Sequence, residues 1–252
     1  MRRADQIQLG CALVLWLCCL AGAAQAANIA LWDFGAGSAA DTSGSPTAYD
    51  LGSVGGGPDL SQGFARFTGD EASPAYLEIA GPGGMKTWTL SFWVRSQGSL
   101  DQGTFQGIFS NNTSSTAAFS WQVESHGGVY QWRNQAGTFA IGAPAALDTW
   151  DHIVVRKFSG NDGDIWLNGV QILANIGGNP GGLQSLRLGT NRNSNRFFQG
   201  DLENIYVFDS FEDPTALFVN TIPNPEPTTG LLLLGGLCGV SYASRRQKTA
   251  RI

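Results

Sequence analysis

Between Ala27 and Pro227 the chain has no cysteine; its four are Cys11, Cys18, Cys19 and Cys238. That absence excludes a disulfide framework and a thiolate metal site for the central segment, which must be held by an ordinary core. Histidine is scarce as well. His126 and His152 are the only two, and neither stands in a motif linking it to a serine or cysteine nucleophile. Basic charge is short in the same stretch. Of 15 Lys and Arg, six (Arg2, Arg3, Arg245, Arg246, Lys248 and Arg251) lie in the terminal segments, whereas of 20 acids only Asp5 does. The middle therefore carries 9 cations against 19 anions, a net charge of −10. That balance argues against nucleic acid or an anionic membrane as partner, and it suits neutral glycans and divalent cations.

What is present divides the chain into five parts. Arg2 and Arg3 precede an apolar run from Leu9 to Leu20, and Ala24-Gln25-Ala26 follows. A basic start, an apolar stretch and an A-x-A site read as a secretory signal over residues 1–26, cleaved after Ala26. Leu17 before Cys18 does not suit lipidation. Residues 27–222 form the domain, and Pro223-Asn224-Pro225-Glu226-Pro227 opens a proline-rich spacer over 223–229 that cannot continue a sheet. Residues 230–244 hold an apolar stretch of about 14 residues, short of the roughly 20 that a stable span prefers. The basic tail 245–252 favours the cytoplasmic side and places the domain outside.

Inside the domain the pattern is short β-type runs separated by Gly, Ser, Asn and Asp. Thr87–Arg95 alternates with Leu90, Phe92 and Val94 on one face, and Phe119, Trp121 and Val123 alternate likewise. A turn at 125–128 returns the chain as Val129–Arg133, and Trp150–Val155, Asp164–Leu167, Leu183–Leu188 and Leu202–Phe208 complete the strands. Asn168-Gly169 marks a type I′ hairpin, and the Gly-rich 52–57 stretch reads as a loop. One internal helix is expected, opening at Asp213-Pro214 and running from Thr215 to Val219. The fold class is therefore all-β, an antiparallel two-sheet jelly-roll sandwich, with a signal helix before it and a short apolar helix after it.

Two resemblances follow from these residues. Pro225-Glu226-Pro227, the apolar stretch and the ending with Arg245 and Arg246 together resemble the PEP-CTERM sorting signal of Gram-negative bacteria. The resemblance implies an exosortase-type membrane enzyme as partner, and a host that exports polysaccharide. There is no L-P-x-T-G motif, and a eukaryotic lipid-anchor signal would end on its apolar tail. The middle resembles the laminin G-like, concanavalin A-like jelly rolls. The matching pieces, in order, are Leu31-Trp32-Asp33-Phe34 with Asp41-Thr42-Ser43-Gly44, Trp88 to Val94, Trp150 to Val155, Ile165 to Gly169, and Phe198-Gln199-Gly200 leading into Leu202 to Phe208.

Glucanases of that fold carry three acids as E-x-D-x-x-E on one strand. Here Asp201 and Glu203 share a face, but Tyr206 stands where a third acid would be. No catalytic residue is assigned and the domain is read as a non-enzyme. For metal, the Asn161-Asp162-Gly163-Asp164 cluster offers oxygens to calcium through Asp162 and Asp164, and it serves equally as a solvated turn. Asp41 is a second candidate of the same kind. For glycans, Tyr130, Trp132 and Asn134 fall on one face of a strand as an aromatic and amide platform, with Arg133 on the other face; core tryptophans are the competing reading, expected for Trp93 and Trp150. The resulting expectation is an exported surface or matrix domain, anchored at least transiently by its C-terminus, that binds carbohydrate such as extracellular polysaccharide, or matrix components. The competing class is a purely structural matrix or adhesion protein.

Overall fold

The computed structural model describes residues 28–97, 105–111, 120–144, 146–158, 162–177 and 182–223. The signal segment with Ala24 and Ala26, Asn161, the motif Pro225-Glu226-Pro227, the apolar stretch 230–244 and Arg245 and Arg246 lie outside these residues. Among the described residues no helix is long and apolar enough to cross a membrane.

Among the described residues fourteen strands make two seven-stranded antiparallel sheets. They are β1 (Asn28–Trp32), β2 (Gly52–Gly55), β3 (Ala65–Thr68), β4 (Ala75–Gly83), β5 (Trp88–Ser96), β6 (Gln106–Ser110), β7 (Gln122–His126), β8 (Val129–Asn134), β9 (Gly137–Gly142), β10 (Asp151–Lys157), β11 (Gly163–Leu167), β12 (Val170–Leu173), β13 (Leu183–Leu188) and β14 (Gln199–Phe208). The first sheet runs β1-β14-β5-β10-β11-β12, with β3 also paired to β14; the second runs β2-β4-β13-β6-β7-β8-β9. One helix, α1 (Pro214–Asn220), follows β14. The jelly-roll reading stands.

The period of two in the sequence places the core. In β5, Trp88, Leu90, Phe92 and Val94 point between the sheets with no exposed surface, and from the second sheet come Phe109, Trp121, Val123, Tyr130 and Trp132, equally buried. An aromatic chain crosses the interior. The Trp88 and Trp121 rings lie 5.5 Å apart, Trp121 and Trp132 5.0 Å, and Phe92 and Phe109 5.7 Å. Rings of this size bury enough apolar surface to replace the missing disulfides.

Local chemistry fixes the connections as expected in two places. Asn168 and Gly169 both adopt positive φ (51° and 76°) in the β11–β12 hairpin. Asp213 caps α1 by accepting from the Thr215 amide at 2.9 Å, with Pro214 at the first helical position. The expected loop at 52–57 is corrected in part. Gly52–Gly55 is an edge strand paired to β4, because ladder hydrogen bonds come from the backbone and need no side chain.

The outer face of the first sheet is closed by the segment after β14. Trp93 is buried, not in the inter-sheet core but beneath α1, where Phe218 stacks on it at 5.6 Å and its indole N–H donates to Thr221 Oγ1 at 2.9 Å. Trp150 is only half-buried, edge-on to Phe64 at 5.9 Å with the Arg95 guanidinium 4.6 Å above its ring.

Candidate functional site

Each ligand or metal residue expected from sequence, Asn161 apart, has a definite place. Tyr130, Trp132 and Asn134 do share one face of β8, but it is the inner face. Tyr130 and Trp132 have no exposed surface and Asn134 has 7%. The Tyr130 hydroxyl donates to Asp151 Oδ2 at 3.2 Å, and burial first, then the Asp151 charge, push its pKa well above the usual phenol range. Asn134 Nδ2 donates to the Ile176 and Gly177 carbonyls at 3.0 and 2.9 Å. These three are core and tie-down residues with no ring face left for a sugar, which corrects the platform expectation. The physical reason is area: Tyr and Trp gain most by leaving water.

The calcium expectation is corrected as well. Asp164 is buried and held by the Arg156 fork, from Nε at 2.8 Å and Nη2 at 2.6 Å, with Gln171 Nε2 at 3.1 Å. Its oxygens are already neutralised by a guanidinium. Asp162 caps the Gly163 amide through Oδ1 at 2.8 Å. Asp41 is a loop organiser, accepting from the amides of Leu31, Ser43 and Tyr49, and those amide bonds hold its pKa below the ordinary value against the raising effect of burial. Among the described residues no three acidic, histidine or cysteine side chains cluster as a metal site.

Asp201 and Glu203 do share the outer face of β14. Asp201 is fully buried and receives Arg66 Nε at 2.9 Å, Arg95 Nε at 2.8 Å and Gln97 Nε2 at 2.8 Å. It is a structural anion. Asn204 then enters the left-handed region (φ 48°) and breaks the register between Glu203 and Tyr206. The structure also pairs Ser91 Oγ with His152 Nε2 at 2.8 Å, 61 residues apart in sequence. Both are fully buried beneath α1, and burial lowers the His152 pKa to about 3. The imidazole stays neutral, but no substrate reaches the hydroxyl.

The open site lies elsewhere, on the outer face of the second sheet. Where Tyr130 and Trp132 turn inward, Arg133 must turn outward, and its neighbours across the ladder, Gln122 and Glu124 of β7, do the same. Over them passes the loop of residues 190–196. Together with Phe105 these side chains line a cleft of about 250 Å³ bounded by Asn191, Arg192 and Arg196. That is slightly below the roughly 300–1,000 Å³ of sites that enclose drug-sized ligands, so it suits one ring of a longer chain.

The cleft floor is rigid. Glu124, 1% exposed, accepts Arg133 Nε at 2.8 Å on one oxygen and the Gln122 amide on the other. Gln122 Oε1 in turn accepts the Arg192 amide at 3.4 Å, and Arg192 Nη1 donates to Ser120 Oγ at 2.7 Å. In the wall, Asn191 and Asn195 clasp each other, with Nδ2 to Oδ1 at 2.8 Å and amide to Oδ1 at 3.0 Å. One end is aromatic. Phe105 stacks on His126 at 3.8 Å, and Arg133 and Arg196 stand 4.5 and 5.3 Å from the Phe105 ring.

Two glycines let the loop lie so close. A Cβ on Gly107 would sit 2.1 Å from the Asn191 amide nitrogen, a clash with backbone that no rotamer relieves. Gly189, which begins the loop, holds φ +82°, and a Cβ there would meet the Phe67 ring at 2.2 Å. Sequence reading missed this site. The signal available was the alternation of Gln122, Glu124, Gln131 and Arg133 opposite the aromatic face, but nothing local joins them to Arg192 and Arg196.

Comparison with known proteins follows the same lines. A family profile described as the concanavalin A-like lectin/glucanases superfamily matches residues 73–214. The chain belongs to that superfamily. No curated protein matches it. Solved structures of this fold include the binding domain of botulinum neurotoxin DC in complex with rat synaptotagmin II (TM-score 0.59, 14% identity, 78% of this chain and 52% of that one). They include botulinum neurotoxin type C in a study of cell entry through two ganglioside molecules (0.56, 12%, 78% and 51%), and the neurotoxin DC binding domain with SialylT (0.55, 12%, 78% and 51%). The chain spans about half the length of each, and at these identities the likeness is one of fold. The two neurotoxin DC structures are of binding domains, whereas the description of this chain's superfamily covers lectins and glucanases alike.

Proposed function

We propose that this concanavalin A-like domain is a non-catalytic carbohydrate-binding module of an exported protein, and that it binds through the cleft over β7 and β8. One observation carries the reading: Arg133, Asn193 and Asn195 line the cleft with planar polar groups, over a floor of Gln122 and Glu124 that is fixed by its own hydrogen bonds and beside the Phe105 ring. Sugars are recognised by such convergent polar groups next to an apolar face. The buried state of Asp201, its three partners and the absence of a third acid on β14 support binding over hydrolysis.

A glycan array probed with the full chain in mild detergent tests this. Binding to a subset of glycans is expected, and a variant with Asn193→Ala and Asn195→Ala should weaken it roughly 2- to 10-fold, as loss of a neutral hydrogen bond does. Retention of no glycan at all would leave a structural matrix protein.

The sorting reading is proposed with it. The domain is exported behind the signal, and Pro225-Glu226-Pro227, the apolar stretch and Arg245 and Arg246 deliver it to an exosortase-type membrane enzyme that removes the apolar stretch. Mass spectrometry of the protein recovered from its host's surface should find a C-terminus near Pro227. An intact Ile252 there, or unchanged processing of Glu226→Ala, argues for a simple anchor.

A further inference from the structure

We infer that the cleft is selective for an anionic sugar, a ring bearing a carboxylate, which Arg192 and Arg196 clamp while Asn193 and Asn195 meet the neutral hydroxyls. This rests on the reading of the cleft as the carbohydrate site and names the class of its ligand.

The argument is one of local charge. Three guanidiniums, those of Arg133, Arg192 and Arg196, surround the cleft, against the single carboxylate of Glu124. Glu124 is consumed by Arg133 and Gln122. Neither Arg192 nor Arg196 has a carboxylate partner among the described residues, whose ion pairs join Arg133 to Glu124 and Arg66, Arg95, Arg156 and Arg187 to acids away from the cleft. The Arg192 pKa is lowered first by burial and then by the Arg133 charge, with Glu124 opposing. A cation kept half-buried beside a like charge is the arrangement an incoming anion relieves. It occurs on a chain whose net charge is −5, so the cleft stands out as a positive patch on an acidic molecule. A concave wall of one sign concentrates the field and draws counter-charge to it.

Geometry narrows the anion. Arg196 lies over Phe105 and Arg192 donates one N–H to Ser120, and each guanidinium borders the cleft with further N–H groups to give. Planar forks match a carboxylate with two parallel bonds. The exposed side chains of Asn193 and Asn195, beside the Asn191–Asn195 clasp, supply the neutral polar edge that a sugar needs and a bare ion does not.

The test titrates the full chain in mild detergent with uronate- and sialate-containing oligosaccharides, each paired with its carboxyl-reduced form. At least one carboxylated member should bind about tenfold or more tightly than its reduced partner, the difference expected of charge-assisted hydrogen bonds. Arg196→Ala should erase that preference with the thermal midpoint unchanged, and Arg192→Ala should erase it with a lowered midpoint, because the buried Ser120 loses its donor. Arg196→Ala is the safer variant, because the hydrogen bonds that hold the loop at this residue are accepted by its backbone carbonyl, which alanine keeps. Arg192→Lys, which keeps charge but loses the fork, should recover only part of it. Equal binding of reduced and carboxylated forms would overturn the anionic assignment while leaving a carbohydrate cleft. So would Arg variants that bind as the parent does, with the Asn193 and Asn195 variant impaired. No binding of any pair member would overturn the cleft itself.

Discussion

Replacing Asp201 by alanine should destabilise the protein by about 3–5 kcal/mol, the cost of removing one partner from a buried ion pair. Asp201 has no exposed surface and accepts from three side chains on two neighbouring strands, Arg66 of β3 and Arg95 of β5, with Gln97 just beyond it. Arg95 cannot turn to water in its place. Its side chain is 11% exposed, and its guanidinium lies 4.9 Å from the Phe64 ring and 4.6 Å from that of Trp150. The alanine variant therefore leaves a desolvated cation beneath two rings. Urea unfolding at neutral pH should show a lowered midpoint, with Asp201→Asn between parent and alanine. A loss below about 1 kcal/mol, typical of an exposed pair, would mean that Arg95 finds another route to solvent.

Trp132→Ala should cost a similar amount, about 3–5 kcal/mol, through lost apolar transfer and the cavity left behind. Trp132 is fully buried against Trp121, which stacks in turn on Trp88. The hole opens in the middle of the aromatic chain, where the opposing sheets cannot close on it without shifting two ladders. Trp132→Phe should be much milder. It keeps a ring and removes an indole N–H that has no partner among the described residues. Glycan affinity of the folded protein should survive in Trp132→Phe, because Arg133 and not Trp132 faces the cleft. A loss of binding without loss of stability would restore Trp132 as a ligand platform.

These two residues show what the sequence could and could not disclose. Alternation through Leu90, Phe92 and Val94, the Asn168-Gly169 turn and the Asp213-Pro214 cap are local rules acting over a few residues, and each appears in the structure where the pattern placed it. Strands with little side-chain character, such as Gly52–Gly55, left no such mark, since pairing to β4 is made by backbone alone. On β8 the period of two separates Tyr130 and Trp132 from Arg133 correctly, but it does not say which of the two faces is open. Only the packing of one sheet on the other decides that, by burying the face with more apolar area.

The cleft was beyond local rules altogether. Gln122 and Arg133 meet because β7 and β8 are neighbours, but Arg192 joins them across 70 residues, because Gly107 admits the loop against the sheet. Composition likewise showed a net negative chain, yet charge at a site depends on which few side chains the fold gathers there. The sequence by itself determined the sandwich, its hydrophobic period and its turns, because those are set by steric and solvation preferences within a strand or hairpin. The tertiary structure alone decided the binding face and its sign, because convergence of distant side chains is a property of sheet order and loop path.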